Sequence, residues 1–349
     1  MSVPSVRRII KLPFIDGVGY GTTYSGYPSY SALMTVPYGS DYIVVAYNGI
    51  YRVSSNGATQ IFPASGTGIY ATINFAKYIY PYEVLFSYIA SDGTYGLGIL
   101  DLNGLTIKYK SFTPQPEFNG VYYLVPISDI DWILYTYNYV YYVSVLDGTM
   151  NKLPITFKYA PFVSITKYIM TMDLDQYGNA YYTLYELDYK SSTLIKVMDI
   201  PNELSLVSAT AACTIMPSTG PQFCDQSAAF VLVDYNKQKY LMYYNIDTSS
   251  FDIMPLGAID IPGGGVFSTY VAPPFRHFKY QNIFVASKYI IDVNAKRVYD
   301  VYDLINKQSP LDPNDVAEDY TMTVVQNPDS FQVAFLAMSQ PPQQPPMTI

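Results

Sequence analysis

The chain has 349 residues, half of them apolar and 14% charged, with 39 tyrosines and a formal net charge of −8. This much apolar material can form a large core without metals or disulfides, and an acidic chain with scattered basic residues argues against nucleic acid as a partner. No apolar run approaches the roughly 18 residues of a membrane helix, and the N-terminus lacks the apolar core of a signal peptide, so we expect no membrane insertion.

The first predicted element is an isolated strand at residues 8–14, and a loop rich in Gly and Tyr follows at 16–30. From there on, strands alternate with turns, and helical periodicity is almost absent. A pattern of two apolar runs joined by a turn with an acidic or small residue occurs six times. The turn residues are Ser54, Asp101, Asp147, Asp188, Asp247 and Asp292, spaced 41 to 59 residues apart. We interpret the aspartates as turn formers, because their side chains accept hydrogen bonds from nearby backbone N–H groups.

Each repeat has two further strands upstream of its hairpin, so the predicted unit has four strands. The runs typical of buried strands are Tyr42–Tyr47, Val84–Ile89, Trp132–Thr136, Phe230–Asp234, Asn282–Ala286 and Phe331–Met338. The runs expected to be innermost are 32–36, 70–75, 121–125, 162–166, 206–211, 267–271 and 320–325. Four-stranded meanders that recur at this period are typical of β-propeller blades.

The repeat length predicts the number of blades. A mean spacing of about 48 residues divides the chain into about seven units, and the last unit supplies only two strands before the prolines at 341–342. We therefore expect an all-β fold, a seven-bladed β-propeller over residues 1–339 that is closed by the N-terminal strand, with six or eight blades as alternatives. Residues 312–315 indicate a short helix, and residues 340–349 form a Pro/Gln-rich tail that we expect to be extended.

The sequence of these hairpins resembles the repeat of YVTN/quinoprotein-type β-propellers, in which an apolar strand ends in Asp and a turn of Thr, Asn or Gly follows. Its nearest copy is Ser-Val-Leu-Asp-Gly-Thr-Met-Asn-Lys-Leu at 144–153. This resemblance implies a repeat architecture like that of WD40 proteins, and it carries no catalytic residues. In composition, the Tyr-rich, Cys-poor and weakly charged chain is also similar to structural proteins of viruses that infect hyperthermophilic, acid-loving archaea. That second resemblance implies a virion component.

The predicted innermost strands carry hydroxyl side chains and almost no ionisable ones. Apart from Lys167 at a strand end, they contain no Asp, Glu, His, Arg or Lys, so the channel wall offers neither an acid–base pair nor metal ligands. His277, the only histidine, follows a Pro-Pro pair and is expected at the surface. The loop with Asp173 and Asp175 resembles a calcium loop but lacks its final Glu. We therefore predict no catalytic residues, no metal and no cofactor.

The two cysteines, Cys213 and Cys224, flank a segment rich in turn residues. If this segment is a hairpin loop, the two thiols can face each other and close it as a disulfide. The alternative is two buried free cysteines that behave as small apolar side chains.

The loop at 16–30 is the main candidate for a binding surface. It contains Tyr20, Tyr24, Tyr27 and Tyr30. Tyrosine rings supply contact area to a partner at a low cost in side-chain entropy. We expect a non-enzymatic structural or interaction protein that binds protein or glycan partners. The alternatives are a propeller-class hydrolase or lyase and a sugar-binding lectin. Three or more charged groups that converge on the mouth of the channel would argue against a purely binding role.

Overall fold

The computed structural model describes residues 8–12, 32–46, 48–63, 71–90, 93–112, 121–128, 130–144, 146, 149–165, 167–216, 222–259, 274–286, 289–300, 320–326 and 332–337. The predictions for the tyrosines of the loop at 16–30, for a helix at 312–315 and for the tail at 340–349 lie outside these residues.

The described residues form six sheets with one short helix. Sheet 1 joins β1 Arg8–Leu12 to β2 Ala32–Tyr38, β3 Asp41–Ala46, β4 Gly49–Ser54, β5 Gly57–Phe62, β27 Tyr320–Val325 and β28 Gln332–Ala337. Sheet 2 contains β6 Ala71–Ile79, β7 Glu83–Ala90, β8 Tyr95–Asp101, β9 Thr106–Phe112 and the inserted β19 Ala212–Ile215. Sheet 3 contains β10 Val121–Pro126, β11 Asp131–Thr136, β12 Tyr139–Ser144 and β13 Met150–Thr156.

The remaining three sheets have four strands each. Sheet 4 contains β14 Phe162–Val163, β15 Tyr168–Leu174, β16 Ala180–Asp188 and β17 Thr193–Asp199. Sheet 5 contains β18 Ser205–Ala209, β20 Ala229–Val233, β21 Lys239–Asn245 and β22 Ser250–Gly257, and sheet 6 contains β23 Phe275–Arg276, β24 Ile283–Ala286, β25 Tyr289–Asp292 and β26 Arg297–Asp300. The helix α1 spans Gln222–Gln226, between β19 and β20.

Apolar clusters between neighbouring sheets fix the architecture. Val36 and Ile43 of sheet 1 pack with Phe86 of sheet 2, and further clusters join sheet 2 to sheet 3, sheet 3 to sheet 4, sheet 4 to sheet 5 and sheet 5 to sheet 6. Sheets 2 to 5 are thus each packed between the sheet before and the sheet after them in the chain. Sheets stacked in this order form a β-propeller, which is the predicted fold class.

The predicted number of seven blades is wrong, since the described residues form six sheets, the number that was expected as an alternative. The expected seventh unit supplies only β27, β28 and β1, and it does not form a sheet of its own. Instead, β27 joins β2 in parallel through the pair Thr35 and Val325, which extends sheet 1 to seven strands. The two ends of the chain are paired, because β1 runs parallel to β28 over its whole length.

Most other strands lie within one or two residues of the predicted runs, and the turns at Asp101, Asp188 and Asp292 follow the predicted chemistry. At the turn of Asp247 the acceptor is instead Asn245, and Asp147 lies outside the described residues. Asp101 accepts the N–H of Asn103 at 2.8 Å, and Asp292 accepts the N–H groups of Asn294 and Ala295. In sheet 6, β24 pairs with β23 at 275–276 rather than with the predicted strand at 267–271, which lies outside the described residues. No helix in the described ranges is long and apolar enough to cross a membrane.

Candidate functional site at the propeller axis

The segment that breaks the meander is the insertion between the first two strands of sheet 5. We call β19 and α1 together the axial insert. The chain leaves sheet 5 after β18, and β19 then pairs in parallel with β6, the innermost strand of the sheet 2 meander. The register places Cys213 opposite Lys77 and Thr214 opposite Tyr78. The insert therefore adds a strand at the inner side of sheet 2, where the blades of a propeller converge on the axis.

The insert contacts the inner parts of several sheets. Near sheet 4, the N–H of Ile165 donates to the carbonyl of Thr210 at 2.7 Å. At the other end, the hydroxyl of Thr214 lies 2.6 Å from the amide oxygen of Gln326, which follows β27. β19 also lies against β23 of sheet 6. These contacts place the insert across the centre of the ring, so that it ties together blades that are distant in the chain.

A disulfide between Cys213 and Cys224 joins the two halves of the insert, with the Cα atoms 5.6 Å apart. Both residues are almost fully buried, in a cluster with Phe75 of sheet 2 and Ile165 of sheet 4. The local geometry is a strand joined to a helix rather than the closed hairpin loop that the sequence suggested. The crosslink holds α1, and with it the side chain of Asp225, beside β6.

Lys77 is the unexpected residue of this region. It lies on β6, is only 6% exposed, and forms no hydrogen bond or ion pair with any described residue. Burial lowers the pKa of its ammonium from 10.5 to about 8, and the nearby charge of Asp225 opposes this only in part. A buried cation without a direct partner lowers the stability of the fold.

Asp225, whose charge acts on Lys77, belongs to a group of three charged side chains. The Nζ of Lys167 lies 4.0 Å from a carboxylate oxygen of Asp225 and 2.5 Å from one of Glu186. The side chains of Asp225, Lys167 and Glu186 are 42%, 34% and 28% exposed. We call these four residues the axial charge cluster. Lys77 is the most buried of the four.

The pKa shifts in the cluster arise from burial and from the neighbouring charges. Burial raises the pKa of the Asp225 carboxyl, although the positive charges of Lys167 and Lys77 act in the opposite direction. Burial lowers the pKa of Lys167, but its hydrogen bond to Glu186 and the charge of Asp225 outweigh this effect, so that its pKa is raised. Within one cluster, the pKa values of one lysine and one carboxyl thus shift towards their neutral forms, beside a lysine whose pKa is raised. Such a pairing is suited to proton transfer.

The prediction of a channel wall without ionisable groups beyond Lys167 was wrong at Lys77. The predicted innermost strand ends at residue 75, whereas β6 continues to Ile79. Asp225 was missed because it belongs to the insert. The sequence did contain a signal for the insert: the longest spacing between turn residues, 59, separates Asp188 from Asp247, and the insert lies between them.

The expectation of a surface histidine was also wrong, because His277 is fully buried. Its Nδ1 accepts the backbone N–H groups of Lys279 and Tyr280, each at 3.1 Å, and its ring stacks on Phe278. Burial, helped by the charge of Lys279, lowers its pKa to about 3. His277 is therefore a neutral residue that organises a turn.

The adjacent Arg276 links two blades. It is almost fully buried, and its guanidinium lies 4.5 Å from the ring centre of Phe284. It also donates to the backbone carbonyl of Tyr244 in sheet 5. Its contacts therefore run between sheets 5 and 6, while its buried Nε has no hydrogen-bond partner among the described residues.

The loop considered for calcium uses its carboxylates internally. Asp173 pairs with Lys158 at 2.8 Å, and Asp175 accepts the N–H groups of Tyr177 and Asn179. Across the described part of the chain, no group of three or more His, Cys, Asp or Glu side chains is arranged to hold a metal ion.

Comparisons with known proteins show similarity in fold only. No family model and no curated protein matches the sequence. Among solved structures, a chain of the nidogen/laminin complex has 10% identity and a TM-score of 0.40, with 75% of this chain and 92% of that chain covered. The WD40 repeats of RRP9 have 9% identity and a TM-score of 0.38, with 73% and 86% covered. PorZ of Porphyromonas gingivalis has 9% identity and a TM-score of 0.40, and the match covers 89% of this chain but 38% of PorZ. The propeller assignment therefore rests on the sheets and their packing in this chain.

Proposed function

We propose that the protein is an interaction scaffold that binds a protein partner at the outer part of sheet 4. The observation that supports this is an uneven distribution of exposed apolar side chains. Of the ten large hydrophobic residues that are exposed in the described part of the chain, five belong to sheet 4. They are Leu174, Tyr177, Tyr181, Ile195 and Val197. Apolar exposure that is concentrated in one sheet supports a protein-binding surface there.

The strand β17 gives this surface a second means of recognition. It is the outermost strand of sheet 4, with Ile195 and Val197 exposed by 51% and 37%. An extended segment of a partner can pair with such a strand edge, since backbone hydrogen bonds supply affinity and alternate side chains supply specificity. Lys196 pairs with Asp199 beside these side chains, and this charged pair limits unspecific pairing between edges.

The test is site-specific photo-crosslinking in an extract of the cells that contain the protein. A photoreactive phenylalanine analogue replaces Ile195 in one variant and Tyr235 in the control variant. Tyr235 is 82% exposed and lies in the turn between β20 and β21 of sheet 5. The proposal predicts a discrete protein adduct at position 195 that is absent at position 235 and is lost in the variant I195K/V197K. Equal labelling at both positions would contradict it.

We also propose that the loop with Tyr20, Tyr24, Tyr27 and Tyr30 contributes to binding, a role that rests on its composition alone. The proposals of a glycan ligand and of a place in a virus particle also rest on composition alone. Replacing the four tyrosines by serine should weaken partner capture at least tenfold or abolish glycan-array binding. Unchanged behaviour in both assays would remove the loop from the proposal.

The axial charge cluster supports a second candidate function, a site for small-molecule chemistry. Four ionisable side chains converge there: Lys77, Lys167, Glu186 and Asp225. This convergence argues against a purely binding role. The cluster and the sheet 4 surface are separate features, so one role can fail without the other.

A further inference from the structure

We propose that α1 is a lid at the propeller axis that the disulfide between Cys213 and Cys224 holds shut, and that reduction of this disulfide by a dithiol opens it. This inference goes beyond the scaffold role and does not depend on it. Its starting point is the unequal attachment of the two arms of the axial insert, which both belong to the excursion of the chain between β18 and β20.

The first arm, β19, is attached to the ring along its whole length. All four of its residues pair with β6. At one end of this pairing the N–H of Ala76 donates to the carbonyl of Ala211 at 3.0 Å. At the other end the N–H of Tyr80 donates to the carbonyl of Ile215 at 2.9 Å. These backbone hydrogen bonds do not involve the sulfur atoms, so β19 should stay in place when the disulfide is reduced.

The second arm, α1, is fixed to the fold at the residues that follow it. The hydroxyl of Thr210 donates to the carbonyl of Ser227 at 3.3 Å and accepts the N–H of Ala229 at 3.0 Å. Among the described residues, the hydrogen bonds of the helix itself all stay within residues 222–228. The helix therefore has a pinned end and no backbone hydrogen bond to a sheet along its length.

Side-chain contacts hold the helix against the axis. Phe223 is buried, Asp225 lies 4.0 Å from Lys167, and the disulfide ties Cys224 to Cys213 with the Cα atoms 5.6 Å apart. The ion pair is wide and partly exposed, so it contributes little. A five-residue helix is unstable alone, and burial of one phenyl ring does not offset the entropy of ordering five residues. The crosslink is therefore the latch that keeps the helix in place.

The helix covers apolar side chains at the axis. Cys224 packs in one cluster with Cys213, with Phe75 of β6 and with Ile165, which follows β14. These residues are almost fully buried, whereas Asp225 on the same helix is 42% exposed. Opening of the lid should therefore bring the cluster into contact with solvent and create an apolar surface at the axis.

The redox step balances with a dithiol as the reductant. One thiolate of the dithiol attacks the sulfur of Cys224, the S–S bond breaks, and the sulfur of Cys213 leaves as a thiolate that takes up a proton. The second thiolate of the dithiol then attacks its own sulfur in the mixed disulfide, and Cys224 leaves and is protonated in the same way. Two electrons pass to the two cysteines, and the dithiol is oxidised to a disulfide.

The experiment compares hydrogen exchange in the oxidised full-length protein and after reduction with dithiothreitol, which thiol titration verifies. Amide exchange reports local opening of the fold. We expect exchange at residues 222–228 to accelerate at least tenfold, with less than a twofold change in β19 and in the outer strands β16 and β17. A disulfide that dithiothreitol leaves intact in the folded protein, unchanged exchange at 222–228, or equal acceleration in all these segments would overturn the proposal.

The double variant Cys213→Ser/Cys224→Ser is the matched control. It should show the fast exchange at residues 222–228 without any reductant, and dithiothreitol should have no further effect on it. Slow exchange there, as in the oxidised wild type, would overturn the proposal. If this variant does not fold, reoxidation of the reduced wild type replaces it. Removal of the reductant should then restore slow exchange at 222–228, and failure to restore it would contradict a reversible lid.

Discussion

The substitution Lys77→Met should stabilise the protein at neutral pH. Methionine has a similar length and fills the same buried space without a charge. The free energy involved follows from the pKa of Lys77, which burial lowers from 10.5 to about 8. This difference corresponds to about 3 kcal/mol that the folded state loses by keeping the ammonium buried. Removing a buried charge with no direct partner should recover most of it.

The pH dependence gives the sign of the effect. Below pH 8 the lysine is protonated in both states, and the full cost of its burial is present. Between pH 8 and 10.5 the folded state has released its proton while the unfolded state has not, so wild-type stability gains from this group as the pH rises. Above pH 10.5 both states are neutral and the contribution disappears. The advantage of the variant should therefore be about 2–3 kcal/mol at pH 6.5 and close to zero at pH 10.5.

Urea unfolding at pH 6.5, 8 and 10.5 measures this difference with the disulfide intact. The single tryptophan, Trp132, is buried and reports on unfolding by its fluorescence. Tyrosines that ionise at high pH affect both proteins alike, so the comparison isolates Lys77. The control Lys190→Met, at an exposed turn, should change stability by less than about 0.5 kcal/mol at each pH. A variant that is less stable than the wild type, or a gain that does not depend on pH, would refute the argument.

Two further predictions concern the insert and the packing of sheet 2. Replacing Cys213 and Cys224 by serine should lower the free energy of unfolding by about 2–3 kcal/mol, because the short loop between them is no longer closed in the unfolded state. Urea unfolding measures this difference. Detection of two free thiols in the wild-type protein would contradict the prediction. Gly98→Ala should destabilise the protein by about 1–3 kcal/mol, since its new Cβ would overlap the Phe86 ring. The control Gly104→Ala meets nothing closer than 3.6 Å, and equal losses in the two variants would show that packing is not the cause.

The repeat of hairpins was readable because its causes are local. Alternating and continuous apolar runs predict strands, and an aspartate whose carboxylate accepts the next N–H groups predicts the turn between them. Asp101 and Asp292 bond in this way. The candidate binding tyrosines at 20–30 were predicted from composition, and they stay a prediction.

The number of sheets could not be predicted from the sequence in the same way. The sequence correctly showed that the last unit lacks a strand, but it cannot tell whether an incomplete unit stands alone or joins its neighbour. That choice depends on the pairing of β27 with β2, which brings together residues almost three hundred positions apart. The burial of His277 has a similar cause, because its environment comes from packing rather than from the Pro-Pro pair before it.

By itself, the sequence determined an all-β propeller with aspartate turns, since strand periodicity and turn chemistry depend on residues that are close in the chain. Only the tertiary structure decided that the insertion before Asp247 crosses the axis, that β19 pairs with β6, and that Lys77 and Asp225 share one cluster. These residues are far apart in sequence, and each looks ordinary in its own segment. The burial that gives Lys77 its unusual chemistry arises where distant parts of the chain meet.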